Sequence, residues 1–511
     1  MAKVVIIFSI IYFPIATTVG ISWLQSDNVL NVLSLIVWQL FLAKTVYEIT
    51  RMSFALFLKK ERVQTQKELD EYPPVALLYT CRDDIVPECL NELRNQQYPN
   101  LDIFVLDDST IADFKNIANV SQYKVIRRNS LRGYKAGNLN HWLKKYGYRY
   151  KYFIVFDNDS KAPPNFVEKM VMFAEHPSNH DVAIFQSKII PWNTSRPFPR
   201  MSGIMAPLFM DISSKLGNRT GTVISSGHNN LHRVDVMLSI GGFDEELTAE
   251  DVVATLELDK EGYRTILVDV VSFEAEPENI YIFCRRAERW AGQTAALFRR
   301  SWVGVSAPLK IEISRQLIYY LVNGLFFGYI FGSLWFSGYG IGQISASSSG
   351  VIDSEFFARK GILSFVIISV FLSNHFIAFY HACRCGIKLK AYLESLLFSF
   401  ATYLYIFIPV TKSLFNAALG RNVVFSPSNS DNTHYSLTKT VRNLSFPLLV
   451  SFFSLVRYFW LINGNPWAYF GWWWITAIVF TPLFLHFIHT DDIKASKRTS
   501  DEQISTQIKS Q

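Results

Sequence analysis

Residues 151–160 read KYFIVFDNDS. The apolar run Tyr152 to Phe156 makes a short strand, and it gives way to Asp157, Asn158 and Asp159. Two carboxylates at i and i+2 beyond a strand end reach one crevice from a turn. Oxygen ligands of this kind suit Mg²⁺ or Mn²⁺, which shares its shell with substrate phosphates. Alone, Asp-x-Asp is equally a solvated acidic turn, and its place after the strand is what gives it weight.

Working outward, further strand-like runs occur at 74–80, 102–107 and 181–186, with helical patterns at 86–96, 136–146 and 164–175. This alternation predicts an α/β domain with a mostly parallel sheet and helices on both faces. Ligands then bind beyond the carboxyl ends of the strands. The run IFVLDDS ends there in Asp107 and Asp108. In RGYKAGNLN, Lys135 and Gly137 open a helix whose start favours anions, with Arg132 and Lys135 as phosphate contacts. SSGHNNLHR at 225–233 and GGFDEELTAED at 241–251 follow. Asp251, after Glu250 at a helix start, is either a cap or a general base. Last comes CRRAERWAGQTAAL at 284–297. Its Arg286 and Arg289 offer forks for phosphate and Trp290 a flat face for a sugar ring. The bland alternative is an interfacial helix anchored by Arg and Trp.

Composition sets the surroundings. Of 511 residues, 50% are hydrophobic and 15% aromatic. This is too apolar for two soluble domains and suits a membrane protein with one soluble domain of roughly 200–250 residues. The net charge of +7 is modest, and its basic residues are spread and flank apolar runs, which argues against a nucleic-acid partner. Five cysteines give no disulfide framework and no zinc spacing. Cys383 and Cys385 close an apolar run, where lipidation is conceivable and inert thiols are the simpler expectation.

Apolar runs at 4–24 and 29–57 are each long enough to cross a hydrocarbon core of roughly 30 Å. Lys59, Lys60 and Arg62 follow and mark the cytosolic side. A cleaved signal peptide is the lesser reading of the first run. Later runs lie near 317–337, 361–382, 391–418, 444–463 and 467–488. The charge rule keeps 419–442, with Arg421, Lys439 and Arg442, in the cytosol only if 391–418 lies along the interface. The reading is therefore six spans plus interfacial helices. Two spans occupy 1–58, a cytosolic domain 59–300, and interfacial helices with four spans 301–490, followed by a disordered tail at 491–511.

These motifs, in this order, resemble the processive family 2 glycosyltransferases, the group of cellulose synthase, hyaluronan synthase and osmoregulated periplasmic glucan synthase. The resemblance runs over roughly 73–432. It rests on Asp107-Asp108, Asp157-Asn158-Asp159, KAGNLN at 135–140, QSK at 186–188, GHNNLHR at 227–233, Ala249-Glu250-Asp251 and Arg286-Ala287-Glu288-Arg289-Trp290. Ala249 replaces a family Thr and Arg286 a family Gln. The Arg form, with Gly-His-Asn, looks more like the periplasmic glucan synthase branch than cellulose synthase. NVVFSPSNSDN at 422–432 falls where cellulose synthases carry a gating loop, which places that element at 419–442. No regulatory cyclic-dinucleotide domain fits after 490.

The resemblance implies a GT-A type domain inserted between transmembrane helices of the plasma (inner) membrane, its catalytic face cytosolic. It implies an inverting enzyme that polymerises a β-linked glycan from a UDP-sugar, UDP-glucose favoured, and moves it across the membrane. Donor contacts would be Asp83, Asp107, Asp108, Lys135, Asp157, Arg286 and Arg289. Asp157 and Asp159 would hold Mg²⁺ or Mn²⁺, with Asp251 as base beside Glu250. Trp290, His228 and Asn229 would face the growing glycan acceptor. Asn374, His375 and Arg457, inside apolar runs, would line a polymer channel. Membrane lipid is a further partner, and accessory secretion subunits would have room. The rival readings are a non-processive transferase acting on a lipid carrier, a catalytically dead scaffold or sensor, and a transporter with a soluble insert.

Overall fold

A computed structural model describes residues 2–23, 29–120, 123–335, 354–421, 435–456, 459 and 475–489. Two helices open the chain, α1 (Ala2–Trp23) and α2 (Val29–Phe57). The α/β domain follows as β1 (Val75–Cys81), α3 (Pro87–Leu93), β2 (Leu101–Asp107), α4 (Ala112–Val120), β3 (Lys124–Ile126), α5 (Tyr134–Tyr146) and β4 (Tyr152–Asp157). It continues as α6 (Phe166–Ala174), β5 (Val182–Pro191), α7 (Pro197–Gly203), α8 (Ala206–Thr220), β6 (Asn230–Arg233), α9 (Val234–Ser239), α10 (Glu250–Lys260) and β7 (Arg264–Glu274). The amphipathic α11 (Ile280–Leu297) leads into α12 (Ala307–Trp335), α13 (Ser354–Arg384), α14 (Leu389–Ala418), α15 (Leu437–Asn443), α16 (Ser445–Val456) and α17 (Ile475–His489).

One seven-stranded sheet has the order β3-β2-β1-β4-β6-β5-β7. All neighbours pair in parallel except β6, which is antiparallel to both β4 and β5. The sheet is mixed where the sequence predicted a mostly parallel one. The reason is β6, four residues of mixed polarity (NLHR) without an apolar run to announce it. The four strands read from the sequence all form.

The period-two alternation of β1, β2 and β4 divides the core. Leu77, Tyr79, Val105, Ile154 and Phe156 pack on one face, under α6. Ala76, Leu78, Phe104, Leu106, Phe153 and Val155 pack on the other, against Trp142 of α5. Each fully buried large apolar side chain contributes about 1.5–3 kcal/mol. Burial on both faces explains why these strands read as unbroken apolar runs. Register sets Cys81 opposite Asp107 and Thr80 opposite Asp157, so the ends of β2, β1 and β4 lie level along one edge.

The helical half docks on that domain. α2 and α12 pair through buried charges: Arg315 lies 2.6 Å from Glu312 and 3.2 Å from Glu48, and Arg51 lies 3.3 Å from Glu312. Among the described residues, α14 is the helix long and apolar enough to cross a membrane. It covers the stretch that the charge rule laid along the interface. Near its start Glu394 pairs with Arg200 of α7 at 2.5 Å. Near its end Ser413 Oγ donates to the Glu288 carbonyl of α11 at 2.7 Å. Both ends thus rest on elements continuous with the α/β domain, and Phe398 packs on Phe198 and Phe283. Arg457 and most of the proposed gating loop lie outside the described residues.

Candidate active site

A cleft of about 940 Å³ opens beyond the level strand ends and runs to Tyr435 and His489 of the helical half. Its lining includes Asp83, Asp108, Lys135, Asp157, Asp159, His228, Glu250, Asp251, Arg286, Arg289 and Trp290. Two expected contacts are corrected: Asp107 and Asn229 do not line it. Asp107 is the last residue of β2, and its carboxylate faces away to Arg127 at 2.7 Å and the Ser109 amide at 2.9 Å. The next residue, Asp108, takes the cleft side. Asn229 is fully buried and adopts φ 54°. Its amide donates to the Val155 carbonyl at 2.6 Å and its side chain to the Phe273 carbonyl, so it pins the loop from below.

Lys135 sits at the centre. Gly133 at φ 74° and Tyr134 at φ 47° turn the chain into α5, which brings Lys135 over the sheet edge. Its Nζ donates to Asp157 Oδ1 at 2.5 Å and to the Gly227 carbonyl at 3.0 Å. Burial would depress this ammonium, but Asp157, Glu250 and Asp251 outweigh it and hold its pKa up. Burial would likewise raise Asp157; Lys135 and His228 instead bring it down to about 2. Thr80 Oγ1 adds a hydrogen bond to Asp157 at 3.1 Å.

The other acids lack such compensation. Burial, then Glu274 and Asp157, push Asp159 well above the usual carboxylate range. Burial pushes Asp84 up to about 7, with Asp157 adding to it. Burial and Asp251 raise Glu250 to about 7, and burial raises Asp251. The cleft holds eleven carboxylates against six Lys or Arg side chains. An excess of partly buried oxygen donors around Asp157 and Asp159 fits a hard divalent cation in the space they face.

The remaining motifs hold this arrangement in place. Gly227, at φ 80°, needs no side chain because the Asp251 carboxylate lies against it; a Cβ there would come within 3.0 Å of Oδ2. Asp251 Oδ1 accepts from the Val252 amide at 2.8 Å. Gln186 of QSK donates to the His228 carbonyl at 3.1 Å and accepts from the Ser226 amide at 2.9 Å. Asn140 of KAGNLN binds the base loop: its amide donates to the Phe243 carbonyl at 2.8 Å and to Glu245 at 2.9 Å, and its oxygen accepts from the Phe243 amide at 2.8 Å. Asp83, at φ 57°, accepts from the amides of Thr110 and Ile111, tying the loops after β1 and β2 together.

In α11, Arg286 pairs with Glu276 at 2.8 Å and lies 4.9 Å over the Trp290 ring. Cation and acid thus orient Trp290, which is 45% exposed and lines the cleft. His228 Nε2 lies 3.6 Å from Glu274. Asn374 and His375 do not line the cleft; His375 Nδ1 lies 3.4 Å from the Tyr392 hydroxyl.

Sequence reasoning missed Asp84, Glu274, Arg128 and Trp192. Arg128 holds Asp108 at 2.6 Å and the carbonyls of Arg132 and Tyr134 at 2.6 Å, joining strand end to phosphate loop. Trp192 Nε1 donates to the Asp159 carbonyl at 2.9 Å. Glu274 was findable: SFEAEPEN follows an apolar run, the same strand-end rule that picked out Asp108 and Asp157.

A family model described as glycosyl transferase family group 2 matches residues 152–487. Probable glucomannan 4-beta-mannosyltransferase 7 of Oryza sativa subsp. japonica is 26% identical over 235 residues, 43% of this chain and 40% of that protein. Glucomannan 4-beta-mannosyltransferase 2 of Arabidopsis thaliana is 25% identical over 240 residues, 44% of each. The chain thus spans about half the length, or less, of the curated relatives it matches. Among solved structures, mannosyltransferase PcManGT from Pyrobaculum calidifontis in complex with GDP-Man and Mn²⁺ aligns with a TM-score of 0.48 at 15% identity, over 77% of this chain and all of that one.

Proposed function

The chain belongs to glycosyl transferase family group 2, a GT-A type α/β enzyme family, and from that premise we propose that it builds a β-linked glycan from a nucleoside-diphosphate hexose at the cytosolic face of a membrane. One observation carries the reading. Acids from separate strand ends and from a helix start surround one ammonium, Lys135, in a cleft that continues to the membrane-side helices.

Lys135 and Arg289 hold the donor diphosphate, and Arg286 positions Trp290 beneath the acceptor sugar. Asp83 and Asp108, fixed by the Thr110 turn and by Arg128, border the nucleoside. Asp157 and Asp159 would hold Mg²⁺ or Mn²⁺, which offsets the charge of the departing diphosphate. Asp251 takes the proton of the attacking acceptor hydroxyl. Burial keeps its carboxylate more basic than usual, which suits that role. Attack from the face opposite the diphosphate inverts the anomeric carbon, so an α-linked donor gives a β-linked product.

Six spans with both termini cytosolic stay our reading of the apolar runs, with α14 along the interface although among the described residues it is the helix long and apolar enough to cross a membrane. The contacts of α14 with α7 and α11 at its two ends support that placement. We take the membrane to be the plasma (inner) membrane and the helical half to pass the polymer across it. UDP-glucose is the donor favoured by the sequence resemblance. The relatives' names, as mannosyltransferases, set a nucleotide-activated mannose beside it as the second candidate. Purified protein given radiolabelled UDP-glucose, UDP-N-acetylglucosamine and GDP-mannose, with linkage-specific hydrolases on the product, identifies donor and linkage. A single-sugar lipid product would overturn the polymerase reading, and binding without transfer from any donor would favour a dead scaffold.

A further inference from the structure

Away from the cleft, three side chains of metal-ligating type meet where the α/β domain rests on the helical half. Asp211 lies on α8, His381 in the last turn of α13, and Cys385 just beyond it. One ligand atom from each lies within 4.8 Å of the others. Gly386, at φ 86°, ends α13, and the Cys385 amide bonds back to the His381 carbonyl at 3.1 Å. His381 and Cys385 therefore stand at i and i+4 on one helix face. Around them Leu208, Ile212 and Leu216 of α8 pack on Ala382 and Ile387, so the spacing between the helices is fixed by apolar contacts.

His381 is wholly buried. Its Nε2 lies 2.7 Å from Asp211 Oδ2, while its Nδ1 has no hydrogen-bond partner. A metal shared with Asp211 takes Nε2, the nitrogen that already faces this carboxylate. Asp211 and Cys385 are both reachable from solvent. Lys215 also sits 2.7 Å from Asp211 Oδ2, so a cation already occupies this carboxylate and a metal has to displace it or use the other oxygen. We propose that Asp211, His381 and Cys385 form a binding site for a thiophilic divalent cation of the zinc class, which clamps α8 of the catalytic domain to α13.

The donor set decides the class. One carboxylate oxygen, one imidazole nitrogen and one thiolate sulfur are zinc's ligands, whereas Mg²⁺ and Ca²⁺ take oxygen throughout. Bonds of about 2.0–2.3 Å to a tetrahedral centre put ligand atoms about 3.3–3.8 Å apart, so side-chain rotations of about an ångström close the site. A fourth position is left to water. Binding of the cation as a thiolate complex releases the Cys385 thiol proton to solvent.

The test uses the full chain in detergent, stripped with chelator and titrated with Co²⁺. A thiolate-to-cobalt charge-transfer band is expected at about one ion per chain, displaced by Zn²⁺. It disappears in Cys385→Ser and in His381→Ala, falls at least tenfold in affinity in Asp211→Asn, and persists in Asp159→Asn, which separates this site from the catalytic cleft. Cys385→Ser removes one atom's identity and little volume, so it is the variant that keeps the fold. No charge-transfer band in the wild type, or a band unchanged in Cys385→Ser, overturns the proposal.

Discussion

Gly227→Ala tests how the loop geometry sets the position of the proposed base. The residue sits at φ 80°, and an added Cβ would lie 3.0 Å from Asp251 Oδ2 and 3.2 Å from Asp251 Cβ. The left-handed backbone costs an alanine about 1–2 kcal/mol. The contact then asks a few tenths of an ångström from its neighbours. The Gly227 carbonyl is held by Lys135, and Asp251 by the Val252 amide, so the displacement falls on the two groups that flank the reaction. A misplacement of 1 Å costs about 10²-fold in rate, so a shift of this size should cost about tenfold. Gly241→Ala is the control. Its φ is 84°, yet nothing lies within 4 Å of the added Cβ. Both variants should lower the thermal midpoint by about 2–8 °C. Only Gly227→Ala should lose about tenfold in kcat, measured as initial rate of labelled sugar incorporation at saturating donor. Equal rates in the two variants would refute the idea that this loop positions Asp251.

Asp251→Asn removes the proposed base and should lower turnover about 10²–10⁴-fold while donor binding by titration calorimetry stays within about threefold. Asn140→Ala breaks three hydrogen bonds to the base loop and leaves the Phe243 amide unmatched, so chemical denaturation should show a loss of about 1–3 kcal/mol. Arg128→Met strands the buried Asp108 carboxylate and should cost about 3–5 kcal/mol, read from the same unfolding curves. Glu250 gives a pH signature: its folded pKa of about 7 lies above its ordinary 4.5, so the folded state holds the extra proton between them. Its contribution to stability therefore falls as pH rises from about 4.5 to about 7, and Glu250→Gln should flatten that slope in metal-free protein.

The strands β1, β2, β4 and β5 were legible because each is buried on both faces and reads as an apolar run. Their acidic ends located the cleft. The antiparallel β6 carries no such run, so the mixed sheet was not. Adjacent acids were the harder problem. At a strand end, successive side chains take opposite sides, so of Asp107 and Asp108 only one enters the cleft, and composition does not say which. Arg128 and Asn140 were hidden for another reason. Each acts by holding a loop distant along the chain, and that role exists only once the fold closes.

In the proposed reaction Asp157, Asp159 and Asp251 serve one metal-dependent transfer in a shared cleft. Cryo-electron microscopy of the full chain with Mn²⁺ and a nucleoside diphosphate tests it most directly. A metal peak bonded to Asp157 or Asp159 is expected, with the diphosphate against Lys135 and the Asp251 carboxylate facing the same space. A nucleotide bound elsewhere, or a metal with neither aspartate as ligand, would contradict it.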